Sequence, residues 1–552
     1  MKLSRVLSLG TVLSCALLAE EPVLRVGIMT DTHIKTTRES CSLVQSALEL
    51  FKEQKADLVI NVGDIADLHY PEGYRHYRDI FNETFPQDKP KEIYIYANHD
   101  TINQPDWDTA FAAVKELLQV PHHPRDQLEI NGCFFLIFPQ RIDVEDYENA
   151  IKEASAKYPG QPVFVIDHVP PYDTTRNSLV WGDYRRRQIL DRYPQAVHIS
   201  GHTHNSLRNE MCIWQGNFTC VNAGCLQSWG GSLVGTAPTS KKSDEVLIME
   251  VFSHKIDFRR FSLADKKEFL ADKLWSVPWP FDKATAPYSM AARKAKAPRP
   301  QFPAGAKISV TPDSAGAGLT LQFPYAHDPD SVEVYKIEIS HQEADGSWVV
   351  FTRQDIQADF YLPPPQRPGQ QTHAFNAGYF AAGKTYRFLV TPIDFFGNEG
   401  ASLQAEAAVS NVEQGEVVYE SSRPMQELPF LSGLSDGSPL PLVDGFYHHK
   451  SGNARLVLPD NVWAGPAKTR FRFTIDMQMK QPGPGQWTLV LRNPTPLTNA
   501  NARIYTPPGE SGMQRYVIDF RKRGEDYNYY FLIREGNAGF VQFKYVKIER
   551  FP

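Results

Sequence analysis

The chain has 552 residues, and at about 150 residues per domain this implies three or four domains and excludes a single core. Hydrophobic residues make up 42% and charged residues 22%, close to the globular average, which excludes a disordered chain, a coiled coil and a polytopic membrane protein. With 58 basic against 64 acidic residues the formal net charge is −6, so the chain lacks the basic field that neutralises a nucleic-acid duplex.

The first predicted element is an export signal over residues 1–19. Lys2 and Arg5 precede an apolar stretch, 6–18, too short to be retained as a span, and Leu17-Leu18-Ala19 offers a cleavage site before Glu20. The expected destination is periplasmic or secreted. Val12-Leu13-Ser14-Cys15 offers an alternative, a lipoprotein box that would anchor the chain through a lipidated Cys15. No later segment reaches about 18 consecutive apolar residues, so no further transmembrane segment is expected.

From residue 22 to 272, short β-branched runs alternate with helical patterns. Strands are predicted at 23–29, 57–62, 92–96, 133–138, 162–166 and 196–199, and helices at 39–54, 107–118, 144–157 and 184–192. This alternation predicts an α/β domain whose ligand site lies beyond the carboxyl ends of the strands. With Cys15 assigned to the signal or anchor, five cysteines remain: Cys41, Cys133, Cys212, Cys220 and Cys225. A hairpin loop at Gln215-Gly216-Asn217 would set Cys212 opposite Cys220, leaving two alternatives, a disulfide or two buried thiols.

Residues 273–300 read as a linker, with Pro278-Trp279-Pro280 followed by an Ala/Lys/Arg/Pro-rich run. Over 301–412, short strands recur between turns with no helix of useful length, which predicts a β-sandwich. Its stretch 386–400 resembles the penultimate strand and following turn of a fibronectin type III domain. Residues 413–552 are again strand-like and predict a second all-β sandwich. Their closing run, 540–549, looks like the last strands of carbohydrate-binding jelly rolls. Trp463, Trp487 and the tyrosines of 527–530 would stack on sugar rings if exposed. A glycan or cell-surface ligand is therefore an expected partner of the carboxy-terminal part, beside a purely structural reading.

Five short polar motifs follow predicted strands of the first domain. They are Asp31-Thr32-His33, Gly63-Asp64-Ile65-Ala66-Asp67, Ala97-Asn98-His99-Asp100, His168 within Ile-Asp-His-Val-Pro-Pro, and Gly201-His202-Thr203-His204. Asp31 and His33, two apart on an extended strand end, would face the same way and chelate one ion, as would His202 and His204. Together with Asp64, Asn98 and His168 they make seven candidate metal ligands, too many for one ion and suited to two. Asp64 can bridge because a carboxylate has two oxygens. A nitrogen and oxygen set without thiolate points to Mn, Fe or Zn.

The order and spacing of these motifs resemble the calcineurin-like metallophosphoesterase superfamily over residues 23–262. The resemblance implies sandwiched β-sheets flanked by helices, with Asp31, His33, Asp64 and His204 on one metal and Asp64, Asn98, His168 and His202 on the other. It further implies attack on phosphorus by a metal-bridging hydroxide, with His99 as general acid for the leaving oxygen and Asp67 orienting it. Asp67 and His33 stand where purple acid phosphatases have Tyr and Gly, and Leu68 and Asp100 where Ser/Thr protein phosphatases have Arg and Glu. The pattern looks more like the phosphodiesterase branch. Ala97 replaces the usual Gly before Asn98, which is tolerable only at negative φ. His69, Tyr172 and Arg176 are the candidate substrate-binding residues, each just after a metal motif. The expectation is an exported dinuclear phosphodiesterase. The alternatives are a phosphomonoesterase on the same metal site, or a surface glycan-binding or adhesion protein whose phosphoesterase domain is degenerate.

Overall fold

The computed structural model describes residues 20–102, 106–119, 126–226, 244–312, 318–362, 367, 369–422, 428–432, 437–449, 452–481, 485–491, 500–506, 509–510, 512–522, 524, 529–536 and 539–552. The predicted signal at 1–19, with Cys15, lies outside them.

Two stacked sheets build the amino-terminal domain. The chain lays down β1 (Leu24–Met29), β2 (Leu58–Asn61) and β3 (Lys91–Tyr94), then β4 (Asp126–Ile130), β5 (Cys133–Ile137), β6 (Val163–Ile166), β7 (Ala196–Ser200), β8 (Ile213–Gln215) and β9 (Thr219–Asn222). It returns to the first sheet with β10 (Glu245–Val251), β11 (Lys255–Ser262), β12 (Lys267–Glu268) and β13 (Trp275–Pro278). The first sheet runs β12-β11-β10-β1-β2-β3, with β13 also on β11, and the second runs β4-β5-β6-β7-β9-β8. Strands β1 to β3 are mutually parallel, as are β5, β6, β7 and β9, so their carboxyl ends open towards one side.

Strand alternation assigns the two faces. Val26, Ile28, Leu58 and Ile60 of the first sheet meet Phe135, Ile137, Phe164, Ile166, Val197 and Ile199 of the second in one dry core. Met29, Val59 and Tyr94 point outward beneath α1 (Ser42–Glu53), α2 (Pro71–Thr84) and α3 (Trp107–Leu118). On the far side, Phe134, Leu136, Val163 and Val165 pack under α4 (Val144–Lys157) and, beyond the single turn α5 (Ser178–Trp181), α6 (Tyr184–Leu190). Helix starts follow local chemistry. Asp106 accepts from the Thr109 N–H at α3, Asp143 accepts from Glu145 and Asp146 at α4, and α2 begins at a proline. Close packing of α1 on β1 requires Gly27, where a Cβ would stand 2.4 Å from the Phe51 ring.

The segment predicted as a linker, 273–300, is instead packed structure. Trp275 to Pro278 pair antiparallel with β11, and α7 (Met290–Lys296) follows. Its anchor is Glu210, which takes Arg260 Nη1 at 2.7 Å, Trp275 Nε1 at 2.9 Å and Arg293 Nη2 at 3.3 Å. Three buried donors converge on one carboxylate, so the run holds although its composition is that of a spacer.

Seven strands follow: β14 (Ser309–Pro312), β15 (Gly318–Phe323), β16 (Val332–Gln342), β17 (Trp348–Gln357), β18 (Gln371–Asn376), β19 (Lys384–Asp394) and β20 (Leu403–Val409). They form two facing sheets, β14-β15-β18 and β17-β16-β19-β20. Residues from both sheets, including Leu321, Phe323, Ile337, Ile339, Phe388 and Val390, bury against one another between them. The carboxy-terminal part is again two sheets, of seven and five strands, with Arg470–Gln481 paired to Gly539–Phe551 at the centre of the larger. Trp463 and Tyr529, offered as sugar platforms, are fully buried against Phe471 and Phe520. An aromatic inside a sandwich cannot stack on a sugar, so these two are core. Tyr527 and the side chains of Trp487 and Tyr530 lie outside the described residues.

The hairpin of Cys212 and Cys220 also differs from expectation. Trp214 stands opposite Cys220 and Gln215 opposite Thr219, so the loop falls one residue later, at 216–218. Cys212 faces the core between the sheets, whereas Cys220 faces the helix side. Both are free, buried thiols.

Candidate metal centre

The motifs converge where β1, β2, β3, β6 and β7 end. Loops carrying the first two are laced together: the Asp31 N–H donates to the Gly63 carbonyl at 3.0 Å, His33 N–H to Asp64 O at 3.0 Å, and Thr32 Oγ1 to Ile65 O at 2.8 Å. Asp31, His33, Asp64, His202 and His204 have φ of +51°, +41°, +52°, +68° and +48°. The Asp31/His33 and His202/His204 pairs are therefore not on extended strand ends, as expected, but on left-handed turns beyond them. Short polar side chains tolerate that region best, at about 1–2 kcal/mol per residue. Ala97 keeps a negative φ, so its methyl is accommodated.

Two glycines permit the close approach. A Cβ on Gly63, whose φ is +107°, would lie 2.7 Å from His168 Nδ1, and one on Gly201 would lie 2.6 Å from Asp31 Oδ2. Asp31 Oδ2 accepts from Thr30 Oγ1 at 2.7 Å and from the His202 N–H at 3.0 Å, which leaves Oδ1 to face the centre. His168 Nδ1 donates to the Val62 carbonyl at 2.8 Å, so its Nε2 faces the centre. Asp100 staples the second and third motifs, accepting from the Ile65, Ala66 and Ala97 N–H groups and from Tyr74 Oη at 2.7 Å.

Ligand-type atoms gather in three groups among the described residues, two of which share Asp64, while the third is formed by His33, Asp67 and His99. Asp31, His33, Asp64 and His204 lie within 4.8 Å of one another, and so do those of Asp64, His168 and His202. His204 Nε2 is 2.9 Å from Asp31 Oδ1 and 3.2 Å from His33 Nε2, and His168 Nε2 is 3.3 Å from Asp64 Oδ2. Asn98 Oδ1 is buried with no hydrogen-bond partner, and His168 Nε2 faces the Asp64 carboxylate. Buried polar atoms left unpaired are costly, and a cation relieves that cost. The donor set thus fits divalent metal ions.

Electrostatics follow from burial and crowding. Burial alone would raise the Asp31 and Asp64 carboxyls, but the imidazoles beside them, His204 and His168 for Asp31 and His168 for Asp64, pull both below the usual range. Burial brings His33 down to about 4 and His202 down to about 3, so both are neutral donors. For His168, burial is outweighed by Asp64 and Asp31, which lift it to about 9.

His99 joins the cluster at its edge, grouped with Asp67 and with His33, which also belongs to the first group. Its Nδ1 is 3.1 Å from Asp67 Oδ1, and its ring packs edge-on against His33 at 4.5 Å. That bond to Asp67, above all, raises the imidazole's proton affinity and lowers the carboxyl of Asp67. About a third of the His99 side chain is exposed.

The three candidate substrate-binding residues are not equivalent. His69 is buried, with Nδ1 bonded to the Asp100 carbonyl and its ring against Tyr74. Tyr172 stacks edge-on with Tyr184 at 5.9 Å in the loop after β6. Arg176 is turned away into an ion pair with Glu333 of β16, Nε to Oε1 at 2.8 Å. Two neighbours escaped the sequence reading. Trp181 stands edge-on to His202 at 6.0 Å, and Cys225 places its sulfur 3.5 Å from His204 Nδ1. Cys225 follows β9, another parallel strand with its carboxyl end here, and that position was its signal.

Residues 24–206 match the model of the calcineurin-like phosphoesterase family. Among solved structures, a conserved uncharacterized protein of Streptococcus pneumoniae TIGR4, a predicted phosphoesterase, is 9% identical over 46% of this chain and 97% of its own, with a TM-score of 0.24. A purple acid phosphatase from yellow lupin seeds is 14% identical over 47% and 54%, with a TM-score of 0.33. The N-terminal CBM22-1-CBM22-2 tandem domain of Xyn10C from Paenibacillus barcinonensis is 10% identical over 46% and 93%, with a TM-score of 0.16. At these scores the three structures carry no argument about function. No curated protein matches the chain. The amino-terminal part is thus a metallophosphoesterase α/β domain, followed by β-sandwich sheets.

Proposed function

We propose that the chain is an exported phosphodiesterase with a dinuclear centre. The observation that carries this reading is the pair of ligand groups sharing Asp64, with His99 and Asp67 alongside. Asp31, His33, Asp64 and His204 would hold one cation, and Asp64, Asn98, His168 and His202 the other. Bound there, Mn, Fe or Zn supplies Lewis-acid charge and lowers the pKa of water.

The chain's own residues supply the rest. Asp67 accepts a hydrogen bond from His99 Nδ1, which leaves Nε2 to carry a proton to the leaving oxygen. The His99 side chain is open enough to reach a substrate, and its raised proton affinity keeps that proton available near neutrality. The loop after β6 forms the adjoining wall, with Trp181 and Tyr184 among its exposed side chains. Arg176, the guanidinium that could have clamped a doubly charged phosphoryl group, is engaged by Glu333. That favours a singly charged diester over a dianionic monoester, with the phosphomonoesterase as second reading.

Two further parts belong to the proposal. The strand order of residues 301–412, three against four, supports the fibronectin type III reading of that module. Export rests on residues 1–19, and amino-terminal sequencing of the mature protein checks it. No helix among the described residues is long and apolar enough to cross a membrane. The deciding experiment is hydrolysis of bis(p-nitrophenyl) phosphate beside p-nitrophenyl phosphate by Mn-loaded protein, with Asp64→Asn as control. A diester preference abolished in the variant supports the reading. A monoester preference replaces it with the alternative.

A further inference from the structure

A line of polar contacts runs from the second domain into the metal centre. Glu333, on β16, is buried and meets Arg176 Nε at 2.8 Å, and Asn209 Nδ2 also donates to its Oε1 at 3.3 Å. Arg176 is fixed at both ends of its backbone: its N–H donates to the Met211 carbonyl at 3.0 Å, and its carbonyl accepts from Asn205 Nδ2 at 2.8 Å. The same Asn205 amide donates to Thr203 Oγ1 at 2.8 Å, while its Oδ1 accepts from Asn177 at 3.0 Å. Asn222 Nδ2 adds a second bond to Thr203 Oγ1 at 3.0 Å. Thr203 is the residue between His202 and His204, both held at positive φ.

We infer that Glu333 is a positioning residue for the metal centre: through Arg176, Asn205 and Thr203, the second domain sets the loop on which His202 and His204 sit. The inference rests on the metal centre proposed above. Three observations support the direction of the coupling. Thr203, Asn205, Asn209 and Glu333 are all buried, so solvent cannot replace a lost partner. A turn with two left-handed histidines has no intrinsic preference for its shape and depends on what surrounds it. Burial opposes the charge on Glu333 and Arg176 favours it, so removing Arg176 leaves Glu333 without the charge that offsets its burial. The second module is then part of the enzyme's working structure, not a spacer.

The test uses the full chain and reads Mn(II) binding from the free-ion paramagnetic resonance signal, without turnover. Glu333→Gln, Arg176→Gln and the double variant are compared with Asp64→Asn. Each single variant is expected to weaken Mn(II) binding about tenfold, as for residues that orient metal ligands. The double variant should be no weaker than either single one. A destabilised interface alone would lower the melting temperature and leave affinity unchanged. Binding within twofold of the unaltered chain in both single variants, with binding lost in Asp64→Asn, overturns the relay and leaves the centre standing. Unchanged binding in Asp64→Asn overturns the centre, and the relay with it. If Glu333→Gln does not fold, Arg176→Gln alone decides, since it disturbs only the loop side of the pair.

Discussion

The backbone N–H of His99 donates to Asp64 Oδ1 at 2.9 Å. Asp64, shared by two ligand groups, and His99, the proposed general acid, are therefore in fixed register, and movement of one is felt by the other. Asp64→Asn keeps the shape and removes the charge. It should lose more Mn(II) affinity than the roughly 10–100-fold typical of a residue that only orients a ligand. Turnover should vanish with it, while denaturant unfolding of the β-sandwiches stays unchanged. Metal titration and unfolding curves on one preparation check both.

His99→Ala should slow diesters with poor leaving groups by about 10²–10⁴-fold and activated aryl diesters far less. Equal losses on the two would remove His99 as general acid.

The pH profile supplies an independent check. Asp67 raises the proton affinity of His99, and in the proposed mechanism the protonated form acts, so kcat/KM should be level at low pH on this limb and fall as pH rises through the raised value. Asp67→Asn removes the cause and should move that fall to lower pH. The same sign governs stability: the pair's contribution is complete below histidine's ordinary pKa and lost as pH climbs through the raised one. A profile whose basic limb does not move in Asp67→Asn contradicts the pairing.

Trp181, 36% exposed beside His202, offers a flat surface to a planar leaving group. Trp181→Ala should raise KM for aryl diesters by an amount equivalent to about 1–3 kcal/mol, the range for aromatic stacking on bases. Dialkyl phosphates should be little affected. An unchanged ratio of the two KM values would exclude Trp181 from the substrate wall.

Glu210 receives two buried guanidinium groups and an indole N–H. Glu210→Ala leaves Arg260 and Arg293 without their shared counter-charge and should cost about 3–5 kcal/mol in denaturant unfolding. Glu210→Gln, which retains an acceptor, should cost less.

Legibility in the sequence followed the range of the forces involved. The motifs were readable because each polar cluster ends a β-branched run, and α3 and α4 were readable to the residue because Asp106 and Asp143 mark their starts. Helix α2 was not, since its buried face uses Tyr74, Tyr77 and Phe81 among charged residues, and a proline and a glycine open it. The pairing of β1 with β10 and the ion pair of Arg176 with Glu333 join distant parts of the chain, and no local pattern encodes them. The strand Trp275–Pro278 was hidden by Pro278, its last residue, and by Pro280 beyond it, although its hydrogen bonds come from β11. Asp31, His33, His202 and His204 were identifiable as ligand types, but their left-handed turns arise from contacts between loops.

Those turns set two selection pressures against each other. At residues 33, 202 and 204 the backbone conformation is one that glycine would occupy with less strain, whereas the Asp31 and Asp64 carboxylates also hold neighbouring backbone N–H groups. A lineage selected only for heat resistance would gain by placing glycine at those three histidines, one position at a time, and each gain would remove a donor from the centre. Thermal tolerance and metal binding at the proposed centre thus pull in opposite directions at three named sites, and retention of His at all of them in a heat-selected library would report continuing demand for the chemistry.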